Sequence, residues 1–379
     1  MKRFVYADNA ATTQMDVEVF DAMKPYLLDE YGNPSQPYSL SRGSRLGLKK
    51  AREMIASCIN AKPSEIYFTS GGTESDNWAI KGTMLASTKR KMLITSKIEH
   101  HAILKSADSL KKKGFSVMHL DVSQEGVVEP DILYQEITSD THLVSIMLAN
   151  NEIGTIQPIK ELAKIAHSNG ALFHTDAVQA VGHIPIDVKE MNVDLLSASA
   201  HKFNGPKGIG FLYIKEGVQI KQYLDGGNQE LSMRAGTENV AAIVGMAYAL
   251  LNNCKQIESN TEHLNGLTEG LVNKLSENRN IDFLRNGGHN TLPGVISLSF
   301  NGTDGEAMLH RLDLRGICVS TGSACDSTNT NVSHVLTAIG LEEMYAKGTI
   351  RISFGKRNSL EDANYIADEI KKIFNNIQR

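Results

Sequence analysis

Two strand-like runs end in residues able to do chemistry: Ala171–Asp176 stops at Asp176, and Asp194–Ser199 leads through Ala200-His201 to Lys202. Ligands of parallel α/β sheets sit at the carboxyl ends of strands, so these two side chains should share one crevice. A carboxylate there can pair with a pyridinium, and a lysine amine can form a Schiff base with a carbonyl. A third run, Glu65–Ser70, ends in Gly71-Gly72-Thr73-Glu74-Ser75 just before a helical pattern. Glycines there admit an anion close to the backbone, and a helix start offers free N–H groups, so phosphate is the natural occupant. Taken singly, each feature is an ordinary surface charge or turn; their joint placement points to a site. The Gly205-x-x-Gly208-x-Gly210 series is not a dinucleotide fingerprint, because no helix follows it.

The four cysteines differ in setting. Cys58 falls on the apolar stripe Leu48, Ala51, Ile55, Cys58, Ile59, and Cys254 closes a helical stretch that begins near Asn239. Cys318, in Ile317-Cys318-Val319, reads as a core strand residue. Cys325 lies in Thr321–Asn331, a stretch nearly without apolar residues that reads as an exposed loop. No Cys-x-x-Cys pair or zinc spacing occurs, and neither a metal site nor a disulfide framework is expected. Arg351, set between apolar neighbours in Ile350–Phe354, wants a carboxylate, either a ligand's or a structural Glu.

The elements that must position these residues follow from periodicity. Short β-branched runs at Glu65–Ser70, Met92–Ser96, Phe115–Asp121, His142–Leu148, Ala171–Asp176, Asp194–Ser199 (read as an edge strand) and Gly208–Ile214 alternate with helical patterns. That is an α/β domain on a mostly parallel sheet. Lys160–Ser168 is one such helix, with Gly170 just past its end. Lys111-Lys112-Lys113 reads as a solvated helix end. After about residue 260 the texture becomes α+β: an amphipathic helix to Leu275, a loop over Asn286–Asn290, strands Gly294–Phe300 and Ile350–Phe354, and a covering helix Leu360–Ile377 with Ala363, Ile366, Ile370 and Ile373 on one face. We expect a large domain over residues 14–258, and a smaller α+β domain formed by residues 1–13 and 259–379 that carries the cysteine loop.

A chain of 379 residues, 41% hydrophobic, can bury an enzyme-sized core. Its net charge of −4, spread along the chain, gives no nucleic-acid or membrane footprint. Val240–Leu251, the longest apolar stretch, is too short to span a bilayer, and the first residues lack a signal peptide's apolar region. A cytoplasmic location is expected.

Taken together, Ala7–Thr13 (Ala-Asp-Asn-Ala-Ala-Thr-Thr), Gly32–Ser35, Phe68–Asn77, Glu99-His100, Asn150–Thr155, His174–Gln179, Ser199–Lys202, Arg234–Asn239 and Ser323-Ala-Cys325 resemble the cysteine desulfurases of the NifS/IscS type, in order and from residue 7 to about 356. The resemblance implies a fold-type I pyridoxal 5'-phosphate enzyme, a homodimer, that converts L-cysteine to L-alanine. It implies that Cys325 takes the sulfur as a persulfide and passes it to an acceptor protein, an iron–sulfur scaffold or a tRNA-thiolation enzyme. By position, Lys202 would be the Schiff-base lysine, Asp176 the partner of the ring nitrogen, His100 the imidazole against the ring and a proton shuttle, and Gln179 the contact to the phenolic oxygen. Gly72, Thr73, Ser199 and His201 would hold the phosphate, joined by Thr237 of a second subunit, while Asn151 and Arg351 would grip the substrate carboxylate. The same fold also serves selenocysteine lyases and aminotransferases, and a silent sulfur-assembly scaffold is the reading from another class. Asp326 stands where relatives usually carry Ser or Thr, and a carboxylate there would raise the Cys325 thiol's pKa unless it points away or meets a cation. Asn204 and Asn228 are milder departures.

Overall fold

In the computed structural model, which describes residues 3–321 and 332–377, a seven-stranded sheet holds the centre. Its order is Ile66–Thr69, Gly210–Ile214, Leu195–Ser199, Leu172–Asp176, Thr141–Ser145, Met92–Ser96, Ser116–Leu120. Gly210–Ile214 is antiparallel to both neighbours and the other pairings are parallel. Six carboxyl ends therefore face the same way, and Thr69, Asp176 and Ser199 end on one rim. Leu195–Ser199 lies third in the order, not at an edge as its sequence suggested; local pattern carries no strand order.

Alternate residues of these strands feed two separate cores. Phe173, Leu196, Ala198, Phe211 and Tyr213 join one, while Leu93, Leu143, Leu195, Leu212 and Ile214 join the other. Period-two side chains buried on both faces require cover on both, and helices supply it. Ser41–Cys58 packs along Val240–Cys254, whose first turn is capped by Asn239 Oδ1 accepting from Ala242 N at 3.2 Å. Ala51 and Ile55 are buried on this contact, and Cys58 and Cys254 pack half-buried beside it, hydrogen-bonded to one another.

The chain's two ends build the rest. Phe283–Asn286, Val295–Phe300 and Thr349–Ser353 form an antiparallel sheet, and Val5–Tyr6 pairs in parallel with Ile317–Cys318. The helices Ile257–Ser276 and Leu360–Ile377 pack together, and Ala363, Ile366, Ile370 and Ile373 are buried as their spacing predicts. Asn286, expected to open a loop, instead ends a strand: its buried side-chain amide donates to Ser297 Oγ at 2.9 Å and Ser299 Oγ at 2.7 Å. Thr349–Ser353 delivers Arg351 to the central rim. No helix among the described residues is long and apolar enough to cross a membrane.

Candidate active site

At the carboxyl ends of the parallel strands lies a cavity of about 300 Å³. Gly72, Thr73, His100, Asn151, Asp176, Gln179, Ser199, His201, Lys202 and Arg351 all line it, joined by Ala10, Ala11 and Asp76. Thr237 is exposed on the surface and is not part of this lining. Cys325 and Asp326 lie outside the described residues.

The anion end is built by close backbone approach. Gly71, at φ +148°, precedes the helix Gly72–Asn77, and a Cβ on Gly72 would stand 2.6 Å from Val178 Cγ2. A Cβ on Gly210 would lie 2.4 Å from the Ala198 carbonyl oxygen. Only glycines let these segments close on one another, and they leave Thr73 and Ser199 on the cavity wall.

Lys202 ends the short turn Ala200–Lys202 directly after its strand. Its Nζ donates to the carbonyls of Ala10 at 2.6 Å and Ala11 at 2.9 Å. The motif Ala7–Thr13, quoted above without a role, is thus a strap across the site. Gln179 Nε2 donates to Ala10 O at 3.0 Å, Thr12 Oγ1 meets His201 Nδ1 at 3.1 Å, and Thr13 Oγ1 donates to His201 O at 2.8 Å. Sequence types hide such a role, because a main-chain carbonyl is available at every residue.

Burial sets the charges. Asp176 accepts from Val178 N at 2.9 Å, yet desolvation pushes its carboxyl up to about 6, against the pull of that bond and of Lys202. Asp76, 1% exposed, has an Oδ1 without a hydrogen-bond partner among the described residues, with His174 Nε2 standing 3.9 Å away; burial, then the nearby Asp176, raises it well above the ordinary carboxylate range. His174 beneath them meets Ser145 Oγ at 2.8 Å and Ser197 Oγ at 3.0 Å, and burial lowers it to about 3, so it is neutral. His100 is lowered to about 4 by burial, then by Lys202, His101 and His334. Its Nδ1 accepts from Ala102 N at 3.1 Å, so the neutral ring carries its proton on Nε2. Of the two adjacent histidines, only His100 reaches the cavity; His101 lies against the His334 ring at 5.0 Å. Glu99 accepts from Ser96 Oγ at 2.6 Å and from Met147 N, and burial pushes it up to about 8.

Arg351, expected to face a ligand or a structural Glu, has an aspartate. Its Nη2 donates to Asp8 Oδ1 at 2.7 Å and its Nη1 to Asn151 O at 2.8 Å, while the buried Nε–H has no partner among the described residues.

The donor set fits a phosphorylated pyridine aldehyde. Two crowded buried carboxyls, Asp176 and Asp76, are short of a cation that a protonated ring nitrogen would supply. Small hydroxyls and glycine N–H groups suit phosphate, and a lysine amine able to form a Schiff base lines the same cavity.

The class-V aminotransferase family model matches residues 5–366. The cysteine desulfurase IscS of Dictyoglomus turgidum is 49% identical over 379 residues, covering 100% of this chain and 96% of that protein. That of Methanosarcina thermophila is 48% identical, covering 97% and 91%. Among solved structures, a NifS-like protein superposes with a TM-score of 0.93 at 38% identity, covering 98% of this chain and 100% of that one. SspA in complex with cysteine superposes at 0.82 with 36% identity, covering 92% and 98%.

Proposed function

Because this chain belongs to the class-V aminotransferase family, and within it to the cysteine desulfurases, we infer that the cavity described above is where L-cysteine gives up its sulfur, and that Cys325 receives it. The enzyme depends on pyridoxal phosphate, which when bound supplies an electron sink that weakens bonds at the substrate's Cα and Cβ. The convergence of Lys202, Asp176 and Arg351 on one cavity carries this reading.

In it, Gly72, Thr73, Ser199 and His201 hold the phosphate, and Thr237 of a second copy completes the cradle. Asp176 would keep a proton on the ring nitrogen, Gln179 would meet the phenolic oxygen and the neutral His100 would lie against the ring. Lys202 would hold the cofactor, and its amine, steadied by the carbonyls of Ala10 and Ala11, is the group placed to move the substrate's Cα proton. Arg351 and Asn151 bind the substrate carboxylate. The Cys325 thiolate attacks the substrate sulfur: an S–S bond forms, the Cβ–S bond breaks with its electron pair left on the carbon side, and protonation of that carbon yields alanine. Cys325 keeps the persulfide until an acceptor protein, an iron–sulfur scaffold or a thiolation enzyme, takes it. His100, neutral with its proton on Nε2, is the shuttle beside these transfers.

The test is product analysis on the holoenzyme. L-cysteine should give L-alanine, with a mass increase of one sulfur on the Cys325 peptide, and Cys325→Ser should keep the cofactor's absorbance change on cysteine addition while losing both products. A keto acid as product, or full alanine formation by Cys325→Ser, would overturn the assignment.

A further inference from the structure

The guanidinium of Arg351 is already balanced before any substrate arrives. Its side chain is 5% exposed, and its Nη2 pairs with Asp8 Oδ1 at 2.7 Å. Asp8 is held where it is by hydrogen bonds to the strand that carries Arg351. Residue 8 bridges Ser353, Asn9 Nδ2 donates to Ser353 O at 2.9 Å, and Ala10 N donates to Ser353 Oγ at 2.9 Å. The Asn151 carbonyl takes Nη1, and the Nε–H has no partner among the described residues, on a side chain that lines the cavity. Two partners thus fix the plane of the fork, and a buried donor remains for a third.

Charge balance decides which third partner fits. A simple anion entering beside Asp8 would place two negative charges on one cation in a desolvated site. An α-amino acid brings its own ammonium and is neutral overall, so it adds no net charge. We propose that Asp8 is a positioning and specificity residue: it holds the Arg351 fork in plane and cancels its charge, so that the site takes the carboxylate of a zwitterionic amino acid and turns simple carboxylate anions away. This rests on the reading that Arg351 receives the substrate carboxylate.

The experiment measures KM and kcat for L-cysteine, and competitive inhibition by acetate and propionate, on the holoenzyme of the wild type, Asp8→Asn and Arg351→Gln. Asp8→Asn keeps an oxygen acceptor for Nη2 and removes the charge. It should strengthen acetate inhibition at least about tenfold, with the KM for cysteine changed less than about threefold. Circular dichroism and the bound-cofactor absorbance establish that each variant is folded and loaded, and if Asn does not fold, Asp8→Ser, which removes the charge together with the Nη2 acceptor, should still strengthen acetate inhibition. Unchanged acetate inhibition with a raised KM would reduce Asp8 to a geometric strut and overturn the proposal. If Arg351→Gln leaves the KM for cysteine as in the wild type, it is the underlying reading of Arg351 that fails. A purely structural role for Asp8 does not sharpen anion inhibition.

Discussion

Gly210→Ala puts a methyl where the site has no room for one. The added Cβ would stand 2.4 Å from the Ala198 carbonyl oxygen and 2.8 Å from Gly71 Cα. Both neighbours are main chain, roughly 1 Å inside ordinary contact, and neither can rotate aside. The strand must part from Leu195–Ser199, or Gly71-Gly72 must move into the cavity. Overpacking of this kind costs about 1–3 kcal/mol, and backbone neighbours put it at the upper end. If about half of that falls on the Gly71–Thr73 turn, pyridoxal phosphate should bind about tenfold more weakly. Gly208 is the internal control from the same glycine series. At φ +77° with nothing within 4 Å of its Cβ position, Gly208→Ala carries only the left-handed backbone penalty, about 1–2 kcal/mol of stability. Spectroscopic titration of the apoenzyme with cofactor, beside urea unfolding, separates the two. Wild-type affinity in Gly210→Ala, or an equal loss in Gly208→Ala, would refute the claim that backbone contact shapes the phosphate end.

Two further outcomes follow from buried or strained groups. Glu99, pushed up to about 8, holds its proton more tightly folded than unfolded; its contribution is fully present below its unfolded value of 4.5 and is lost as pH rises through about 8. Glu99→Gln should therefore melt progressively higher than the wild type as pH rises across that window, by an amount reaching the order of a few kcal/mol, and a difference flat with pH in calorimetry would count against an ionising Glu99. Leu231, 68% exposed at φ +57°, should accept glycine with a gain of up to about 1 kcal/mol in urea unfolding; a loss would mean the neighbouring Glu230–Arg52 pair depends on that side chain.

Much of the site was legible because strand ends are punctuated. Asp176, Lys202 and Gly71-Gly72 each follow a strand-like run, and parallel strands bring such ends to one rim. The ordering of motifs singled out Gln179, Asn151 and His100, which composition alone leaves among surface residues, and all three line the cavity. Asp76 escaped notice because an aspartate inside Gly-Thr-Glu-Ser-Asp-Asn looks like a solvated helix start, whereas its helix turns it toward the cavity. The strand Phe283–Asn286 escaped because Asn286 has a turn former's composition, and its partners Ser297 and Ser299 lie on another strand. The strap's hold on Lys202 runs through carbonyls, which no side-chain pattern encodes.

The Asp8–Arg351 pair closes a separation of 343 residues. During synthesis the cavity stays without one wall until the ribosome has passed Thr349–Ser353, long after Lys202 and the glycine turn have emerged. A nascent or truncated chain that retains Lys202 and the glycine turn would lack both Arg351 and the strand to which the Ala7–Thr13 strap is tied. The last strand among the described residues is thus the one that fixes the strap built from the first, and the wall of the cavity that Arg351 lines waits on it.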